Sequence, residues 1–240
     1  MKFRVVPFAL LAAGLAGPAS ATLFSFPSDA DHTSWTFSGL GASVRDAADP
    51  ADPQLLVIDD DNGITFPTLL QTEFNADFSL QYLGSTPFVG GKFTHQYAMS
   101  GTFTFLDLAS NLPIMMCTVT DALFTAVGNG GTKPATWDST ATIQASDDYG
   151  TVTYTWFGPA DPLLGVYPGN SVGLDTAAFT LTVLNVDGQA GVGLDGATHL
   201  PVSTWYSEGS YSGSAHFVPA PGALAVVGAA GLAAARRKRR

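Results

Sequence analysis

The strongest constraint on what this chain can fold into is alternation with a period of two. Phe93, His95, Tyr97, Met99, Gly101, Phe103 and Phe105 fall on one face of an extended chain, and Thr94, Gln96, Ala98, Ser100, Thr102 and Thr104 on the other. Successive side chains of a strand point to opposite sides, so the run predicts a half-buried strand with a bend or bulge at Gly101. The pattern recurs in Phe74–Tyr82, in Val152, Tyr154 and Trp156, in Phe179, Leu181 and Val183, and in Tyr211–Phe217. Between these runs stand Asp61-Asn62-Gly63, Gly128–Gly131, Asp147–Gly150, Pro168-Gly169-Asn170 and Asp187-Gly188, all turn chemistry. Asp147–Gly150 predicts a hairpin between Ile143 and Val152. No amphipathic helix of ten residues separates the runs. The expectation is one all-β domain over residues 22–217, an antiparallel two-sheet sandwich of jelly-roll or Greek-key type.

Charge is distributed unevenly. Of ten Lys and Arg, only Arg45, Lys92 and Lys133 lie between residues 22 and 218, whereas all eighteen Asp and both Glu do. Three cations against twenty acids give this body a formal charge of −17. Such a field repels nucleic acid and anionic lipid, and excludes nucleic-acid binding as a function class. The preference for Asp over Glu suits turns rather than helices. A body of this length buries about 70% of its unfolded surface and needs no disulfide. The lone Cys117, inside the apolar run Pro113–Val119, reads as a buried small hydrophobe.

Both ends carry address-like segments. Met1–Arg4 is positive, Val5–Gly17 is apolar, and Ala19-Ser20-Ala21 has the small residues of a signal-peptidase site, which predicts cleavage between Ala21 and Thr22. The apolar stretch reaches only about 20 Å as a helix, short of a hydrocarbon core of roughly 30 Å. At the other end Val218-Pro219-Ala220-Pro221 precedes Gly222–Ala235, which has no polar side chain, and then Arg236, Arg237, Lys238, Arg239 and Arg240. Five cations resist translocation and hold that end on the cytoplasmic side.

This tripartite tail, residues 218–240, resembles the PEP-CTERM sorting domain, a kind of tail also called an ice-binding protein C-terminal domain without implying ice binding. Ala220 stands where that family has a glutamate. The resemblance implies export by a Gram-negative bacterium that makes extracellular polysaccharide. It also implies a short C-terminal membrane helix during export, and removal of the tail by a membrane transpeptidase, exosortase.

Several patterns suggest chemistry. Gly169-Asn170-Ser171-Val172-Gly173 matches G-x-S-x-G, but a nucleophile elbow needs a strand–turn–helix context that a β domain lacks. Asp59, Asp60 and Asp61 form the densest acidic cluster and are a candidate Ca²⁺ site, with Asp29, Asp31, Asp46, Asp49 or Asp52 as further ligands. An EF-hand register fails, since its first and twelfth positions would be Ile58 and Leu69. His32, His95, His199 and His216 lack zinc spacing. Among the four tryptophans, Trp156 reads as core, and Trp137, beside Pro134 and Asp138, as the exposed candidate for stacking on a sugar ring.

The expected function is therefore a non-enzymatic, surface-sorted protein with a structural or adhesive role in the envelope or polysaccharide matrix. Signal peptidase and exosortase are its expected export partners, and extracellular polysaccharide its expected contact. The alternatives are a secreted carbohydrate-active enzyme, which needs two carboxylates about 5–10 Å apart, or a soluble glycan-binding module.

Overall fold

The computed structural model describes residues 21–26, 35–37, 41–45 and 54–218. The expected signal helix before Ala21 and membrane helix over 222–235 lie outside them. Among the described residues no helix is long and apolar enough to cross a membrane.

Strands dominate the described chain, with one 3-10 turn at Val89–Gly91. Its strands are β1 (Thr22–Phe26), β2 (Trp35–Phe37), β3 (Gly41–Arg45), β4 (Gln54–Asp60), β5 (Thr68–Pro87), β6 (Phe93–Asp107), β7 (Pro113–Gly128), β8 (Thr136–Trp137), β9 (Thr140–Ala145), β10 (Thr151–Trp156), β11 (Gly169–Asn170), β12 (Thr176–Val186), β13 (Gln189–Ala190), β14 (Val192–Gly193) and β15 (Trp205–Ala215). Every pairing is antiparallel. β4, β5, β6 and β7 form a meander; β7 pairs with β9, β9 with β12, β12 with β15, β15 with β1, and β1 with β4. The ladder therefore returns to its start, and eight strands form a closed hydrogen-bonded ring. The antiparallel all-β expectation holds, but the ladders join the main strands into one ring rather than dividing them between two sheets.

The alternating faces explain the filling of the ring. Phe74, Phe103, Phe105, Phe179 and Tyr211 face inward from four strands, and Phe103 meets the Phe179 ring edge-on at 4.6 Å. Phe26 and Trp35 join them, so the interior is packed aromatic carbon rather than a channel. Gly101 marks a register shift in β6 as expected: a Cβ there would lie 2.0 Å from the Asp77 carbonyl oxygen. Cys117 and Trp156 are buried, as their alternation required.

Two local expectations need correction. Asp147–Gly150 is a turn, with Ser146 bridged to Tyr149, but β9 and β10 do not pair with each other. Both run along the same edge of β7, β10 beside Met115–Thr120 and β9 beside Leu123–Ala126. Asp121, at φ 56°, lies on β7 where the partner changes, and Gly150 lies against its backbone. In β12, Val183 leaves the inward face. It has φ 53° and is half-exposed, while Leu184 is buried in its place, because the ladder to β15 slips between Thr182 and Asn185.

A candidate functional site at one end of the ring

The connections β4–β5 (61–67), β6–β7 (108–112) and β10–β12 (157–175) gather at one end of the ring. The register places Thr22 opposite both Asp60 and Ala215, so β1 begins and β15 finishes there too. The Thr22 hydroxyl donates to the Leu164 carbonyl at 2.8 Å, tying the start of β1 to the long loop. A groove of about 340 Å³ opens between these connections, floored by Ile58, Ile114 and Trp156, with the half-exposed Phe157 on its wall. Two carboxylates line it, Asp107 and Asp161.

Each of these carboxylates is engaged by its own turn. Asp107 Oδ2 accepts from the Ser110 amide at 2.7 Å and the Ser110 hydroxyl at 2.6 Å, and that hydroxyl is the main cause holding its carboxyl below the usual range. Asp161 Oδ1 accepts from the Leu163 and Leu164 amides at 3.1 and 3.3 Å. The pair can accept hydrogen bonds from a ligand's hydroxyls. A general acid needs its proton retained near neutral pH, and Asp107 is tuned in the opposite direction.

Beside the groove the ring has a seam. Where β9 gives way to β10, the wall no longer continues into β12, and residues 171–175 bridge the gap. The Ser171 amide donates to the Tyr154 carbonyl and the Val172 amide to the His216 carbonyl, at 2.7 and 2.6 Å. Ser171 Oγ accepts from the Tyr154 amide at 2.8 Å and donates its proton to Asp175 Oδ2. Asp175 Oδ1 accepts from the His216 amide at 3.2 Å, and His216 Nδ1 lies 4.0 Å away. Burial pushes the Asp175 carboxyl above its ordinary value, opposed chiefly by the Ser171 hydroxyl. Deeper in, Tyr211 Oη donates to Tyr154 Oη at 2.5 Å, and Tyr154 Oη to the Thr176 carbonyl at 2.6 Å. Gly213 is required there, because a Cβ would fall 2.0 Å from Tyr154 Oη.

The G-x-S-x-G serine thus meets an acid and a histidine, a grouping that the motif alone did not disclose. The order differs from a nucleophile's relay. Asp175, not the imidazole, accepts the Ser171 hydroxyl's hydrogen bond, so Ser171 acts as a clasp between β10 and the exit of β15.

The other sequence candidates fare differently. Trp137 is fully buried, which overturns its assignment as an exposed platform. It lies on the short β8–β14 ribbon at the opposite end, its Nε1 donates to Tyr97 Oη at 3.0 Å, and its ring packs on Phe124 and Trp205. Phe157 is the exposed aromatic of the groove, which the pattern missed: it directly follows the alternating run that ends in the buried Trp156. The Asp60 carboxylate accepts from the Ile64 and Thr65 amides at 3.1 and 3.3 Å, closing the β4–β5 turn, and Asp59 Oδ1 accepts from the Asp60 amide at 2.8 Å. Among the described residues no three His, Cys, Asp or Glu side chains come together to hold a metal ion. Asp29, Asp31, Asp46, Asp49 and Asp52 lie outside those residues, as do His32, Pro219–Pro221 and Arg236–Arg240.

His95 is buried at the opposite end. Its Nε2 faces the Asn129 carbonyl at 2.8 Å and must donate, which leaves Nδ1 to accept from Ser85 Oγ at 2.7 Å. Ser85 in turn accepts from Tyr82 Oη at 2.6 Å. Burial lowers the His95 pKa, with the Asn129 carbonyl opposing and the neighbouring His199 adding to the effect.

No protein-family model, no curated protein and no solved structure matches the chain.

Proposed function

We propose that this is an exported, surface-sorted protein whose β domain serves a structural or adhesive role in a bacterial envelope or its polysaccharide matrix. The observation that carries this reading is the tripartite segment 218–240, which begins three residues after the last strand ends at Ala215. In this reading residues 1–21 are removed by signal peptidase between Ala21 and Thr22, and the apolar stretch 222–235 holds the chain in the inner membrane. Exosortase then processes the tail near Val218–Pro221, and Arg236–Arg240 stay on the cytoplasmic side. The domain, residues 22–217, is the delivered part in this reading. Support also comes from how the polar groups are used. Ser171, Asp175, Asp107 and Asp161 each hold a turn or a seam, which suits a structural part.

The test is intact mass and terminal peptides of the protein from its host's surface fraction. An N-terminus at Thr22 and loss of the chain beyond the Val218–Pro221 region are expected. A retained Arg236–Arg240 end would overturn sorting by cleavage.

The groove favours one second reading, contact with glycan. Phe157 offers an aromatic face, and Asp107 and Asp161 offer acceptors for sugar hydroxyls. Phe157→Ala should weaken retention on the host's own polysaccharide without lowering the melting temperature. If the protein instead releases reducing ends from that polysaccharide, and Asp107→Asn and Asp161→Asn each stop it, the groove belongs to a glycosidase.

A further inference from the structure

The end of the ring that carries the groove also carries large apolar side chains in water; the opposite end has its own in Leu83, Phe88, Val89 and Val202, so what tells the two ends apart is the chain that leaves beside this one. Phe66 and Ile64 on the β4–β5 connection are 92% and 84% exposed, Leu163 on the long loop 76%, and Leu112 on the β6–β7 connection 65%. Phe157, Leu174, Val172 and Val218 extend the set. Three separate connections and the chain's exit thus bring exposed apolar side chains to the same end of the ring. Large exposed apolar side chains gathered on one face mark an interaction surface rather than ordinary surface scatter.

The sequence says what lies beside this face. Val218 is the last described residue, and only Pro219, Ala220 and Pro221 separate it from the uncharged stretch Gly222–Ala235. Three residues span at most about 10 Å. The polar headgroup layer on each side of a bilayer is roughly 5–8 Å thick. A domain tied so briefly to a membrane-resident segment has this end against the lipid.

We infer that the loop-bearing end is a membrane-docking face, and that Ile64, Phe66, Leu112 and Leu163 enter the interface of a zwitterionic bilayer while the tail holds the domain there. The inference rests on the reading of 222–235 as membrane-resident. The lipid class follows from charge. Asp59, Asp60, Asp61, Asp107 and Asp161 surround the tips, and the connections 61–67, 108–112 and 157–175 contain no Lys or Arg. An anionic surface would repel this end. The domain's remaining lysines serve the opposite end, where Lys92 pairs with Asp138 at 2.9 Å.

The test uses the full chain with phosphatidylcholine vesicles. All four native tryptophans are buried, so an added exposed tryptophan reports on its own surroundings. Three single variants are compared: Phe66→Trp at the proposed face, Val89→Trp at the opposite end, and Ala229→Trp in the tail. Expected are a blue shift of the added emission and quenching by brominated acyl chains for Phe66→Trp and Ala229→Trp, with no change for Val89→Trp. Quenching of Ala229→Trp with Phe66→Trp as unresponsive as Val89→Trp would overturn the docking face and leave the tail's membrane residence standing. Quenching of Phe66→Trp alone would support the face and overturn the tail reading. A Phe66→Trp blue shift that needs no vesicles would overturn the proposal in favour of the chain's own tail covering this end.

Discussion

Asp175 shows how a single side chain can decide whether the seam stays shut. Its two oxygens take the Ser171 hydroxyl and the His216 amide, so Asp175→Ala leaves a buried and a part-buried donor without an acceptor and should cost roughly 1–3 kcal/mol. The pH dependence has a definite sign. A carboxyl raised above 3.8 in the folded state keeps its proton longer there than in the unfolded chain. Its contribution is therefore greatest in acid and is lost as pH rises through the folded value. Asp175→Asn is neutral at every pH, so its stability relative to the parent should improve between about pH 4 and neutrality in denaturant titrations. A flat difference would remove burial as the cause. His95 has the opposite slope. Its folded pKa is lowered from 6.5, so its contribution is complete above that value and is lost as pH falls below it. His95→Gln should flatten stability against pH in that range. Neither response was legible in the sequence. The Gly169–Gly173 motif announced a serine, but the acid four residues on and the histidine forty-five residues on become its neighbours only once the ring closes.

At the scale of elements, the sequence disclosed faces but not partners. Alternation named the inward side of β5, β6, β10 and β15 correctly, because burial is a property of each residue along its own strand. The choice of neighbour is not local. Asp147–Gly150 carries hairpin chemistry, yet the strands on either side of it share one edge of β7, whose length outlasts either of them. The pivot is Asp121, whose positive φ costs an ordinary residue about 1–2 kcal/mol. Asp121→Gly should be neutral or stabilising, and Asp121→Val destabilising by about that amount, in chemical unfolding. The β4–β5 turn gives a test of the metal question. Asp60 holds its own turn through the Ile64 and Thr65 amides, so Asp60→Ala should lower stability by about 1 kcal/mol equally with Ca²⁺ and with chelator. A Ca²⁺-specific rise in melting temperature that vanishes in Asp60→Ala would instead assign a cation to the cluster.

For the whole molecule, closure matters more than any single contact. The eight paired strands expose no free edge between them, and the aromatic interior leaves the outer faces and the two ends for function. The opposite end is closed by β8 and β14, with Trp137 beneath them, and carries the Lys92–Asp138 pair. The loop-bearing end carries the groove, the apolar tips and the exit toward the tail. That division of labour was only half visible beforehand. The tail is read from sequence alone, whereas the tips lie in connections whose isolated Phe66 or Leu163 looks like any loop residue until three such loops are brought together. Hydrogen exchange should follow the same division, slowest in β6, β7 and β12 and faster in 157–175 at the seam.

The placement of β15 has a consequence in time. It is the last strand of the domain to be made, yet it pairs with β1, β2 and β12. The first strand therefore waits for the final one, and the ring has no closed form until residue 215 is available. A chain threaded through a translocation channel from its N-terminus would stay open, and so threadable, until almost all of the domain has crossed. Late closure is what the proposed export would require: the ring would be completed only after β15 had crossed.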